Sequence, residues 1–253
     1  MNLSDQLDEL RNNILRDVSN QISGDADTLW SDDTLVRYIK DAENRFARQA
    51  LCIRDSTTTQ CCQVRIKTGV ATYVLDKSVL AVLSSRFDTD TFDITRSGHS
   101  LILQYVPSEF YSFDPTIGYT AQPGRPRAYY TDETTVYAGN GAVSYSLYPV
   151  PSALEDGKFM HLRVIRRPLT TYDLDTDLDR ESEIPEDYQL DVLDWAAYRA
   201  LRTNDADGLT TTPAESYKAA FLEAVERAKT ELKRTLYASV TMGYGQLGTN
   251  YTR

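Results

Sequence analysis

The sequence predicts an α+β protein: a helical bundle formed by N- and C-terminal helices, an inserted antiparallel β sandwich or barrel, and an extended C-terminal tail. Three observations predict it. Apolar residues recur at helical spacing at both ends of the chain, the period shortens to two in the middle, and after Tyr237 neither period survives. On this reading residues 1–58 and 171–236 form the two halves of the helical region, 59–170 the β-rich insertion and 237–253 the tail.

The first helix rests on Leu3, Leu7, Leu10, Ile14, Val18 and Ile22, with Ser4 to cap its start and Gly24 to close it. A second begins at Ser31, whose hydroxyl can cap while Asp32 and Asp33 favour the positive end of the dipole. Its stripe runs Leu35, Ile39, Ala42, Phe46, Ala50 and Ile53, ending near Asp55. From Gln60 the alternation changes, and strands are expected around Val64 and Ile66, around Tyr73 and Leu75, and over 79–84, 92–95, 100–105, 128–131, 143–148 and 159–166. Turn residues separate them, among them Lys67-Thr68-Gly69, Ser97-Gly98-His99, Gly139-Asn140-Gly141 and Asp156-Gly157. Helical spacing returns after Ile184-Pro185-Glu186, where Leu190, Leu193, Ala197, Ala200 and Leu201 share a face. A last helix opens on Thr212-Pro213-Ala214-Glu215 and carries Tyr217, Phe221, Ala224, Ala228, Leu232 and Leu236 on its apolar side.

The composition narrows function by exclusion. The chain has 253 residues, 41% of them hydrophobic, enough for a sizeable core. No apolar run approaches the roughly 18–20 residues of a membrane span, and residues 1–19 have no signal-peptide core, so the chain is expected to stay in the cytoplasm where it is made. A net charge of −10 opposes binding to DNA phosphates, yet suits a surface past which DNA must slide. Three cysteines, Cys52, Cys61 and Cys62, are too few and too oddly spaced for a disulfide framework. Read as strand neighbours, Cys61 and Cys62 point to opposite faces and make a poor chelate, and the cysteines read as small, partly buried residues at a helix-to-strand junction.

No catalytic constellation emerges. His99 and His161 lack a helical partner for metal binding, and Ser97-Gly98-His99-Ser100 lacks the flanks of a nucleophile elbow. The acidic run at 173–181 places Asp175, Asp177 and Asp179 at the first, third and fifth positions of a calcium loop, with Glu186 at the twelfth. Arg180 stands where such a loop needs glycine, and a solvated linker is the better reading. No cofactor, metal or catalytic residue is therefore expected. The tail reads either as a disordered C-terminus of the free subunit or, since solvating tails are poor in aromatics, as a docking segment whose anchors are Tyr237, Met242, Tyr244, Leu247 and Tyr251 spaced among glycines.

The second half carries a resemblance. Gly124-Arg125-Pro126-Arg127-Ala128-Tyr129-Tyr130, then Leu147-Tyr148-Pro149-Val150-Pro151, then Ile184-Pro185-Glu186-Asp187-Tyr188 occur in order. Leu193-Asp194-Trp195-Ala196-Ala197-Tyr198-Arg199-Ala200-Leu201 and Asn204-Asp205-Ala206-Asp207 follow, and Leu35-Val36-Arg37-Tyr38-Ile39-Lys40-Asp41-Ala42 agrees in the first half. In this order the pieces resemble head-to-tail adaptor (connector) proteins of tailed bacteriophages. The resemblance implies a non-catalytic virion protein at the head-tail junction, assembled as a homo-oligomeric ring of about twelve copies. It implies a portal protein and the next tail or neck component as partners, and a channel through which DNA passes unbound. The tail anchors are expected to bind the portal. Another phage neck, tail-completion or baseplate role is the alternative, and a calcium- or carbohydrate-binding module a more distant one.

Overall fold

The computed structural model describes residues 1–17, 28–88, 100–106, 123–132, 142–169, 172–173, 176–204 and 211–247. The chain divides into a helical unit, Met1–Ile53 with Pro168–Arg253, and a β unit, Arg54–Arg167.

In the helical unit α1 (Leu3–Asp8) continues as π-helical turns over Glu9–Leu15. Asn2 caps it: its side chain accepts from the Asp5 N–H while Asp5 reaches back to the Asn2 N–H. The expected Ser4 cap is therefore displaced by two positions. Arg16 adopts the left-handed conformation (φ 54) and stops the helix well short of Gly24. Val18 and Ile22 lie outside the described residues.

Helix α2 (Asp32–Ala50) starts at the expected Ser31 cap and ends at left-handed Leu51, so Ile53 enters the core from the following segment. A 3-10 turn, Glu186–Tyr188, leads from Pro185 into α3 (Gln189–Asn204), and α4 spans Thr211–Leu247. Leu35, Ile39, Ala42 and Phe46 of α2 meet Val192, Leu193, Ala196 and Ala197 of α3 and Phe221, Ala224 and Val225 of α4 in one buried core. Alanines on facing turns let the backbones approach, and aromatic rings fill the remaining volume: Phe46 lies 5.4 Å from Tyr188 and 5.9 Å from Phe221, and Trp195 lies 5.3 Å from Phe221.

The C-terminal expectation is overturned. Backbone expected to be extended from residue 237 is helical through Leu247, and 248–253 lie outside the described residues. A 37-residue helix reaches about 55 Å at ~1.5 Å per residue. Its nucleus is long since formed at that point, and each of Gly243 and Gly245 costs only about 1 kcal/mol of propensity.

The β unit holds two sheets. The first has the order β1 (Arg54–Asp55), β9 (Phe159–Arg166), β4 (Val79–Asp88), β5 (Ser100–Ile102), with β2 (Gln63–Arg65) also paired to β9. The second has the order β3 (Thr72–Val74), β8 (Ser144–Tyr148), β7 (Ala128–Asp132), β6 (Gln104–Tyr105). Among the described strands every pairing is antiparallel except β6 with β7. The single strand expected over 100–105 is split between the sheets at buried Leu103, whose N–H donates to Ser85 O while Gln104 N–H donates to Arg127 O. The described strands form two open sheets and no closed barrel.

Phe87, Met160, Leu162 and Val164 of the first sheet are buried, as are Tyr129, Tyr145 and Leu147 of the second. The Tyr145 and Ser85 hydroxyls share a buried hydrogen bond of 2.6 Å between β8 and β4, which satisfies two polar groups inside that core. Gly69 (φ 74) and Gly157 (φ 78) take left-handed conformations in the two turns where the sequence calls for them. Residues 92–95 and the turns at 97–99 and 139–141 fall outside the described residues.

Candidate functional site

Four of the five expected docking residues lie on α4. Among the residues of α4 whose burial is described, Ala228 is the last buried one; Leu232 is half-buried and Thr230, Glu231, Lys233 and Arg234 are exposed. Tyr237, Met242, Tyr244 and Leu247, expected to be docking anchors, fall on the helical backbone beyond that point, and Tyr251 falls outside the described residues. The outer faces of α3 and α4 carry exposed Leu190 and Leu222 among surface ion pairs: Glu215 with Lys218, Glu226 with Lys229, and Asp191 with Arg227. Such pairs contribute only about 0–1 kcal/mol each to stability. They are therefore free to be exchanged for partners.

A dense electrostatic node lies in the β unit. Asp55 of β1 accepts from Thr57 N–H and Thr58 N–H, from both threonine hydroxyls, and from Arg166 Nε of β9 at 2.7 Å. Burial pushes this carboxyl up, but the hydrogen bonds from Thr58, Thr57 and Arg166 win and hold it well below the usual carboxylate range. The expected start of the β region at residue 59 leaves this pair out. Arg54 and Asp55 in fact pair with Ile165 and Val164, so the strands that enter and leave the unit are clamped together.

The cysteines correct another expectation. Thr59–Cys62 is one helical turn and not a strand, so the Cys61 and Cys62 sulfurs converge at 3.6 Å, with Cys61 Sγ 3.9 Å from Asp55 Oδ2. Among the described residues these three form the one group with metal-ligand proximity. The donor set fits a cation poorly. The Asp55 oxygens are committed to five donors, one of them a guanidinium, and burial holds the Cys62 thiol up at about 12 and raises Cys61 as well. The node is an ion-pair clasp.

In the helical unit Glu43, 1% exposed, accepts from Gln6 Nε2, the Tyr172 hydroxyl and the Ser182 hydroxyl, all on Oε1. Burial raises its pKa, opposed by these three bonds and reinforced by Glu183. In the acidic run the Asp177 carboxylate accepts from the Asp173 N–H and pairs with Arg180, while Asp175 lies outside the described residues. His161 sits on β9 opposite Arg86 and Gln63, and His99 lies outside the described residues.

The two proline-bearing motifs of the second half lie side by side. Gly124 N–H donates to Val150 O, Arg127 N–H to Tyr148 O, and Ser152 N–H to Gly124 O. A side chain at Gly124 would meet the Pro149 ring at 3.2 Å, which explains glycine there. Residues 1–243 match the family model described as SU10 adaptor protein. No curated protein matches the chain.

Proposed function

The chain belongs to the SU10 adaptor protein family, a family of structural phage adaptors found in virions, and we propose that it is a head-to-tail adaptor that forms a ring on the portal. The match over 1–243 carries the reading, since it takes in both units and not one motif. Physical features agree with it. The helical unit offers outer faces with exposed leucines and exchangeable charge, the means by which copies meet laterally. The end of α4 is a helical arm for the portal, and the anchors Tyr237, Met242, Tyr244 and Leu247 belong to it, with Tyr251 following in the sequence. A charge of −10 per copy keeps the DNA in the channel mobile by repulsion.

Electron microscopy of the protein mixed with its portal tests this. Rings stacked coaxially on the portal are expected, and truncation after Ala238 should abolish attachment without altering the melting temperature. Truncated protein that still caps portals removes the arm from the account. Absence of rings with full-length protein removes the adaptor reading itself.

A further inference from the structure

Three arginines converge on one face of the first sheet. Arg54 of β1 stands opposite Ile165, Arg163 of β9 opposite Ser84, and Arg86 of β4 opposite His161. Directly opposed residues project to the same side, and positions 161, 163 and 165 alternate onto one face, so the three guanidiniums share it. With Asp55, Ser56, Ser84 and Leu162 they line a pocket of about 380 Å³. Arg86 and Arg163 are exposed, whereas Arg54 Nε is buried and without a hydrogen-bond partner.

Asp55 does not neutralise the pocket, since its oxygens are held by Arg166 and the two threonines. None of the three arginines has an ion pair among the described residues. A protein with net charge −10 thus keeps three positive charges together, and one of them, Arg54, has an unmet charged donor. Leaving such a donor unmade is costly, and a guanidinium fork matches a carboxylate with two parallel bonds. A nucleic-acid backbone calls instead for phosphate contacts spread along an extended basic surface, which an acidic chain with one concave basic pocket does not offer.

The helical unit supplies the complementary group. Residues 178–181 are pinned to the start of α1: Leu3 N–H donates to Arg180 O at 3.1 Å and Ser4 N–H to Leu178 O at 3.0 Å. This leaves Asp179 and Glu181 exposed on an anchored loop. We propose that the arginine pocket of one copy receives the Asp179 and Glu181 carboxylates of a second copy. Ring closure requires a contact of this kind, in which one surface meets a different surface on the next molecule. The proposal rests on the ring reading, but the two fail separately.

The first test titrates the full chain with a synthetic peptide of residues 173–181, while the arginine Nε–Hε resonances are followed at fixed ionic strength. Inorganic phosphate and a short DNA duplex serve as separate arms. The peptide should shift Arg54, Arg86 and Arg163 together, and Arg163→Gln should abolish the shifts. Unmoved resonances overturn the proposal, as does a duplex or phosphate that binds the pocket more tightly than the peptide. The second test reverses charge. Arg163→Glu and Asp179→Lys should each weaken ring assembly on the portal by about tenfold, and the double variant should recover most of it. A double variant no better than the singles overturns the contact. If the wild type forms no ring while the peptide still binds, the ring reading falls and the carboxylate pocket stands.

Discussion

One buried carboxylate of each unit, Asp55 and Glu43, makes a comparison, because the two are treated in opposite ways. In the β unit Asp55 meets a guanidinium and four neutral donors and is held ionised. In the helical unit Glu43 meets only an amide and two hydroxyls, with Glu183 as the charged neighbour, and burial favours its neutral form. Burial alone does not decide the state of a buried acid. The charge and number of its partners do.

The consequence is a pair of opposed pH dependences. Asp55 is depressed in the folded state, so its contribution is present above its unfolded value of 3.8 and is lost as pH falls toward the folded value. Glu43 is raised, so its contribution is present below 4.5 and is lost as pH rises through the folded value. Hydrogen exchange resolved by segment, corrected for the intrinsic rate, should show β9 loosening toward acid and α2 loosening toward base. Parallel trends in the two segments break the comparison.

The largest expected effect comes from stripping Asp55 of its cation. Arg166→Met leaves a buried carboxylate with neutral donors alone and should cost about 3–5 kcal/mol in urea unfolding. It should also turn Asp55 into a group like Glu43, shrinking the acid-side slope. A loss below about 1 kcal/mol means that the threonine turn alone holds the charge.

What was legible in the sequence follows the same division between local and distant causes. Ser31 with Asp32 and Asp33 announces the start of α2, and the strand Phe159–Arg166 coincides with the sequence reading, because both signals lie within a few residues. The π-helical turns and left-handed Arg16 that end the first helix leave no mark in an apolar stripe that continues to Ile22. The crossing at Leu103 is equally silent, since alternation persists whether a strand stays in its sheet or leaves it. A four-residue helix carries no period at all, so strand alternation, used to set the Cys61 and Cys62 side chains on opposite faces, fails there although the helix-to-strand junction itself is where the sequence reading puts it. At the site level the clasp was invisible, because Asp55 and Arg166 stand 111 positions apart. The arginine pocket is hidden in the same way, one residue from each of three strands. The aromatic anchors after Tyr237 were visible as composition, but glycine-spaced composition does not reveal a helix propagated from upstream.

Glu43 offers the next test in size. Glu43→Gln keeps the shape and two hydrogen-bonding atoms but cannot ionise, so above neutral pH it should be more stable than the wild type by about 1–3 kcal/mol, the order of cost for a buried charge with imperfect partners. Toward pH 4 the advantage should vanish. A difference in melting temperature that stays constant across that range shows that Glu43 does not titrate with a raised value.

Tyr172→Phe gives the smallest and most discriminating change. The Tyr172 hydroxyl donates to Glu43 Oε1 at 2.9 Å and favours the ionised form, in opposition to burial. Its removal should cost about 0.5–1.5 kcal/mol at high pH and less in acid, where Glu43 is neutral. The Glu43 titration, followed by the pH-dependent shift of its carboxyl carbon, should move further upward. The direction distinguishes two accounts of the helical core. If the hydroxyls merely fill space around a neutral acid, the midpoint stays where it is. If they are what still allows Glu43 to ionise without cationic help, as Arg166 allows Asp55 to ionise in the other unit, losing one moves the midpoint up.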